Sequence, residues 1–181
     1  DAGIYAMGAL VYELMARDEN GVSDPARRVE VVTAPGISAL QAAAARIGAP
    51  LGHDFCAISL SNLLTPTEDI RKRVRAAAEG DFVIAFYNPV SLRRRALFPE
   101  AIDVLKVHRP AGTPVILARS LGRPDERIDV VPLSEVHVDQ VDMMTVVLVG
   151  SSQSRSVQIG GRPRVFTPRG YAVKHERKEA S

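Results

Sequence analysis

The sequence predicts an α/β protein in which a mixed sheet is flanked by helices. Three observations carry this. Segments of helical and strand-like periodicity alternate along most of the chain. Phe82 to Phe86 is a nearly unbroken apolar run, as expected of a strand covered on both faces. Val157 to Ile159 and Val165-Phe166 flank Gly160-Gly161 as a closing hairpin, whose antiparallel pairing makes the sheet mixed.

The elements follow in order. Met7, Leu10, Val11, Leu14 and Met15 recur at helical spacing between Tyr5 and Met15, and Asp18-Glu19-Asn20-Gly21 supplies a stop. Val29-Glu30-Val31-Val32 reads as a short strand ending at Pro35-Gly36. Ser38 is placed to cap an Ala-rich helix over 39–47, which Gly48 closes. Cys56 to Leu60 reads as a strand. Thr65-Pro66-Thr67-Glu68 opens a helix to about Ala78, with Ile70 and Val74 inward and Arg71, Lys72, Arg73 and Arg75 as a solvated face. After the apolar strand comes a helix over about 97–107, then strands at Pro114 to Ala118, Ile128 to Leu133 and Thr145 to Val149. Residues 173–181 carry no core positions and are expected to be disordered.

Composition limits the function classes. With 46% hydrophobic and 24% charged residues over 181 positions, the chain has the make-up of an ordinary folded domain that buries roughly two-thirds of its unfolded surface. The net charge of +2 is small and its contributors are dispersed, so no nucleic-acid partner is expected. No apolar stretch approaches a membrane span of roughly 20 residues and no signal segment opens the chain, which leads to the expectation of a cytoplasmic protein without a membrane partner. Cys56, the single cysteine, lies in the apolar run Phe55 to Ile58 and reads as a small core thiol.

Four strand ends break into turn residues: Thr33-Ala34-Pro35-Gly36, Tyr87-Asn88-Pro89, Arg119-Ser120-Leu121-Gly122 and Gly150-Ser151-Ser152. Ligands of open α/β sheets bind beyond the carboxyl ends of strands, so these turns are expected to form the mouth of a site. There is no G-x-S-x-G elbow and no P-loop, the four histidines are dispersed, and no metal site is expected. Methyl transfer from a sulfonium is compatible with that inventory, because the leaving group is already activated and the protein need only align the reactants.

The motifs resemble those of the tetrapyrrole methylase family. Asp1-Ala2-Gly3-Ile4-Tyr5 resembles the end of the family's (S)GDPG-I-Y segment, and Ala34-Pro35-Gly36-Ile37-Ser38-Ala39 its V-P-G-[IV]-[ST]-[AS] segment. Leu51 to Phe55, Ile58 to Pro66, Phe86 to Pro89 with Ser91 and Arg93 to Arg95, Asp142 to Thr145, Val149 to Arg155 and Thr167 to Tyr171 look specifically like one branch. Its members methylate carbon 17 of precorrin-3B and contract the ring, in cobalamin biosynthesis. The resemblance covers the chain up to Tyr171.

It implies two α/β domains with S-adenosylmethionine between them, a tetrapyrrole substrate and a homodimer. Residues 1–33 are then expected to be the end of the first domain and 34–172 the second, and a chain so truncated to be inactive alone. Cofactor contacts are expected at Asp1, Ile4, Ser38, Ala39, Tyr87, Asn88, Leu121, Met144 and Thr145. The catalytic acid or base is left unassigned. Precorrin-3B carries many carboxylates, so Arg93, Arg94, Arg95, Arg119 and Arg155 are candidate partners for them, with solvated surface arginine as the alternative for each. Ala2 stands where the family has proline. Two rival functions stay open: a sister methylase acting on another ring position, and a non-catalytic dimerisation module.

Overall fold

A computed structural model describes residues 1–17 and 22–171. The expected stop at Asp18 to Gly21 and the expected disordered tail at 173–181 lie outside the described residues. The chain divides into two compact units between Ser38 and Ala39.

The first unit, Asp1–Ser38, contains α1 (Met7–Ala16) and the short α2 (Asp24–Arg27). Ala2 turns back to accept the Gly8 amide at 2.8 Å, which starts α1. A Cβ at Gly8 would stand 2.5 Å from that carbonyl oxygen, so glycine is required there. The strand expected at Val29 to Val32 does not form. A strand exists through its neighbour's backbone, and among the described residues this segment joins no sheet. The Tyr12 hydroxyl instead donates to the Val31 carbonyl and bonds the Thr33 hydroxyl, both at 3.3 Å.

The second unit begins with α3 (Ala39–Ile47), followed by β1 (Gly48–Ala49), β2 (Phe55–Ser59), α4 (Thr67–Glu79), β3 (Val83–Tyr87) and α5 (Leu97–His108). Then come β4 (Pro114–Arg119), β5 (Arg127–Pro132), two 3-10 turns at Leu133–Glu135 and Val138–Gln140, β6 (Thr145–Val149), β7 (Arg155–Ile159) and β8 (Arg162–Phe166).

A five-stranded sheet has the order β2-β3-β6-β4-β5. β2 and β3 are parallel, β6 runs antiparallel between β3 and β4, and β5 is antiparallel to β4. It follows that β2, β3 and β4 share one direction. The mixed character therefore arises inside this sheet and not from the Gly160-Gly161 hairpin. That hairpin forms as expected, with both glycines at positive φ (60° and 72°), but it pairs with β1 in a separate three-stranded sheet, β1-β8-β7.

Period-two alternation sorts the strand residues onto two faces. Ile84, Phe86, Val115, Leu117, Val147 and Val149 pack with Ile70, Val74, Phe98, Ile102 and Leu105 of α4 and α5. Ala85, Ile116, Ala118, Val146 and Leu148 pack with Leu40, Ala43, Ala44 and Ile47 of α3 and with Val165. This three-layer arrangement explains why the central strands read as continuous apolar runs. The small alanines of α3 let that helix lie close to the sheet. Ile70 and Val74 point inward as expected. Arg71 departs from the expected solvated face by bonding Glu100 of α5 at 2.9 Å.

Arg109, which the sequence did not single out, clamps the lower end of the sheet. Only 5% of it is exposed, and its guanidinium donates to the carbonyls of Gly150, Ala77 and Phe82. Burial pushes it down from its ordinary basicity, and the Asp81 carboxylate at 3.7 Å opposes that shift. Cys56 is half-buried beside the same core, and desolvation pushes its thiol up, which fits a packing role.

Candidate functional site

The strand directions place the site. Because β2, β3 and β4 run the same way, their carboxyl ends at Ser59, Tyr87 and Arg119 lie along one edge of the sheet. β6 runs the other way, so its beginning lies at that edge, with Thr145 opposite Arg119. The amide of Ser120 continues the ladder by donating to Met144 O at 3.0 Å. The first turn of α3 arrives at the same edge, where the Leu40 amide donates to the Tyr87 hydroxyl at 3.0 Å.

The result is a pocket of about 230 Å³ whose walls include Ala39, Tyr87, Asn88, Leu121, Met144 and Thr145. Four separated stretches of sequence supply these six residues, all of them expected cofactor contacts. The volume falls below the roughly 300–1,000 Å³ of a complete small-molecule site, so the pocket matches one moiety of a nucleoside-sized ligand. Ser120, Arg123 and Met143 also line it and were not singled out. Their signal was available, since Ser120 lies within and Arg123 adjoins a turn read as a strand end, and Met143 falls in the family-like segment Asp142 to Thr145.

Two backbone features shape the pocket. Asn88 and Ser120 follow β3 and β4 directly, and both take positive φ, 51° and 52°. Asparagine tolerates this region and serine does so less readily; each such residue costs about 1–3 kcal/mol unless its surroundings hold it. Asn88 donates to Ser59 Oγ at 3.2 Å. The Ser120 hydroxyl donates to Asp125 at 2.9 Å while its carbonyl accepts from the Arg123 amide at 3.0 Å. The hydroxyl holds the Asp125 carboxyl below its ordinary range. Further along the loop the Gly122 amide donates to Glu126 at 2.6 Å, and Arg46 of α3 pairs with Glu126 at 2.9 Å. These two contacts, the amide foremost, hold the Glu126 carboxyl down as well.

Thr145 is 4% exposed, and its hydroxyl donates to Asp142 at 2.8 Å. The same carboxylate accepts the Met144 amide at 2.9 Å and pairs with Arg119 at 2.9 Å. The turn before β6 is thereby fixed while the Met143 and Met144 side chains stay exposed.

The remaining expected cofactor residues belong to the first unit. Asp1 accepts the Gly3 amide at 2.7 Å and the Gly36 amide at 3.4 Å, which brings the two family-like segments together. A Cβ on Gly36 would stand 3.0 Å from the Asp1 backbone, so that approach depends on glycine. Ile4 is half-buried, and the buried Ser38 immediately precedes α3.

The arginines separate. Arg94 donates to Leu60 O at 3.0 Å and is occupied in holding the loop after β2. Arg95 pairs with Asp139 at 2.6 Å, and Arg93 is exposed with no hydrogen-bond or ion-pair partner among the described residues. Arg155 opens β7 and lines a different cavity with Ser151. That position carries a correction. The Gly150-Ser151-Ser152 turn, expected at the mouth, lies at the opposite end of the sheet, where Gly150 donates to Pro114 O at 2.9 Å, because β6 is antiparallel to its neighbours. Among the described residues no cluster of His, Cys, Asp or Glu could hold a metal ion, and no helix is long and apolar enough to cross a membrane.

Comparison with known proteins agrees with the fold. The sequence profile of the Tetrapyrrole (Corrin/Porphyrin) Methylases matches residues 1–137. A precorrin-3B C(17)-methyltransferase from Sinorhizobium sp is 50% identical over 95% of this chain and 66% of its own length. A probable cobalt-factor III C(17)-methyltransferase from Salmonella typhimurium is 44% identical over 96% of this chain and 67% of its own. The crystal structure of the methyltransferase CobJ superposes with a TM-score of 0.80 and 42% identity, over 93% of this chain and 66% of that one. The chain thus spans about two-thirds of the length of these relatives.

Proposed function

This chain belongs to the tetrapyrrole methylase family, and we propose that the whole protein transfers a methyl group from S-adenosylmethionine to carbon 17 of precorrin-3B, with ring contraction, in cobalamin biosynthesis. The observation that carries the reading is the meeting of Ala39, Tyr87, Asn88, Leu121, Met144 and Thr145 in one pocket at the carboxyl ends of parallel strands. Its lining suits part of a nucleoside sulfonium: Leu121 and Met144 offer apolar surface, and Tyr87, Asn88 and Thr145 set polar groups beside it.

The donor brings an already activated methyl group. What this chain supplies is alignment and exclusion of water. The bends at Asn88 and Ser120 fix the pocket's rim, the Asp142 carboxylate holds Thr145 and Met144 in place, and the loop over 120–126 is tied to α3 through Arg46 and Glu126. Asp1, Ile4 and Ser38 are further donor contacts in the same proposal, on the strength of the family-like segments that hold them. For the acidic side chains of the substrate, Arg93 has its guanidinium unengaged, while Arg95 and Arg119 would have to exchange an exposed carboxylate partner for one on the ligand. A homodimer and a cytoplasmic location belong to the same proposal.

The test is incubation of the whole protein with precorrin-3B and S-adenosylmethionine labelled with carbon-13 in the methyl group, followed by mass spectrometry and NMR of the product. One labelled methyl on carbon 17 is expected. Label on another ring carbon would make it a sister methylase, and no label at all would leave a binding or dimerisation module. The name of the 44% identical relative favours running cobalt-factor III beside precorrin-3B, since the form turned over faster identifies the substrate.

A further inference from the structure

A cavity of about 830 Å³ in the second unit is not the one proposed for the methyl donor. It lies at the other end of the five-stranded sheet, beside the Gly150 turn, separated by a five-residue strand of roughly 17 Å. Arg155, at the start of β7, and Arg169, three residues beyond β8, both line it. Among the described residues neither guanidinium has an ion-pair or hydrogen-bond partner. Two unpaired arginines on one concave surface leave their forks open for an oxygen anion.

The carboxylates of that cavity do not neutralise them. Asp81 is engaged by the Ser152 amide at 2.8 Å and the Ser152 hydroxyl at 2.6 Å, and faces the buried Arg109. Asp54 stands at the rim, 80% exposed, with its carboxylate 3.4 Å from His53. The floor is built from within: the Thr167 hydroxyl donates to Pro50 O at 2.6 Å and bonds the buried Ser154 hydroxyl at 2.7 Å. That network anchors the backbone just before each of the two arginines. Ala49, Phe166, Pro168 and Tyr171 add apolar surface, which an inorganic anion would not use.

We propose that this cavity is a second binding site, for a small organic polycarboxylate, with Arg155 and Arg169 each gripping a carboxylate and the carbon skeleton resting on Phe166, Pro168 and Tyr171. The volume lies within the range of complete small-molecule sites, about 300–1,000 Å³. The site stands independently of the methyl-donor pocket and of the reaction assigned to it.

The test is isothermal titration calorimetry of the whole protein with tricarballylate, repeated with inorganic phosphate at matched ionic strength. Saturable binding of tricarballylate with a Kd of about 1 mM or tighter is expected, with phosphate at least about tenfold weaker. The double variant Arg155→Gln/Arg169→Gln should weaken tricarballylate at least about tenfold, and Arg155→Lys/Arg169→Lys should fall between, because a point charge replaces a two-pronged donor. Both arginines are exposed, so the variants should melt with the parent. Arg73→Gln, on the exposed face of α4 and outside the cavity, should leave the affinity unchanged. Phosphate binding as tightly as tricarballylate, an unaffected double variant, or no saturable heat would each overturn the proposal.

Discussion

The hydroxyl of Tyr87 accepts the backbone N–H of Leu40 at 3.0 Å, joining the end of β3 to the first turn of α3. The first four amides of a helix have no partner within it, so this contact satisfies a donor that would otherwise be unpaired in a half-buried place. It also fixes where the helix start stands against the pocket.

Tyr87→Phe removes that acceptor while keeping the ring. A loss of about 1 kcal/mol is expected, a fall of roughly 2–4 °C in melting temperature for a chain of this size. The same variant should bind S-adenosylmethionine more weakly in the whole protein. Calorimetric melting and a binding titration check the two effects separately, and an unchanged melting temperature would show that water replaces the phenol without cost.

Ser120 holds its strained backbone partly through Asp125, and the sign of the pH effect follows. The Asp125 carboxyl titrates below its ordinary value of 3.8 in the folded chain, so its contribution to stability is complete above the unfolded value. It is lost as pH falls through the depressed folded value. Ser120→Ala should therefore be less stable than the parent near neutral pH, and the gap should narrow below about pH 4. Urea unfolding at a series of pH values measures this; a gap independent of pH would assign the effect to the backbone alone.

Arg109→Met tests the clamp at the opposite end. Three carbonyls lose their donor and Asp81 loses its buried counterion, so about 3 kcal/mol of destabilisation is expected. Urea unfolding measures it, and a loss under about 1 kcal/mol would mean that the carbonyls find water instead.

How much of this was legible in the sequence depended on the range of the interaction. α3, β6 and the Gly160-Gly161 hairpin follow from periodicity and turn chemistry, which act between near neighbours. The turns after β3 and β4 follow from placing a site at the carboxyl ends of strands, while the individual contact residues in them come from the resemblance to the family. What periodicity cannot give is direction. Thr145 to Val149 reads the same whether parallel or antiparallel, so the Gly150 turn was placed at the wrong end while Thr145 still met the pocket. Val29 to Val32 has strand composition, but a strand also needs a partner. Arg109 was invisible for a related reason: its three carbonyl acceptors lie 27 to 41 residues away in the chain.

The most direct test is the affinity of the whole protein for S-adenosylmethionine before and after Leu121→Glu. Leu121 is half-buried in the pocket wall and packs against the core beside α3, so a carboxylate there occupies the proposed donor space and also costs some stability. A loss of affinity of at least about 100-fold is expected in a protein that still unfolds cooperatively. Unchanged affinity in a folded Leu121→Glu protein would contradict the assignment of this pocket to the methyl donor.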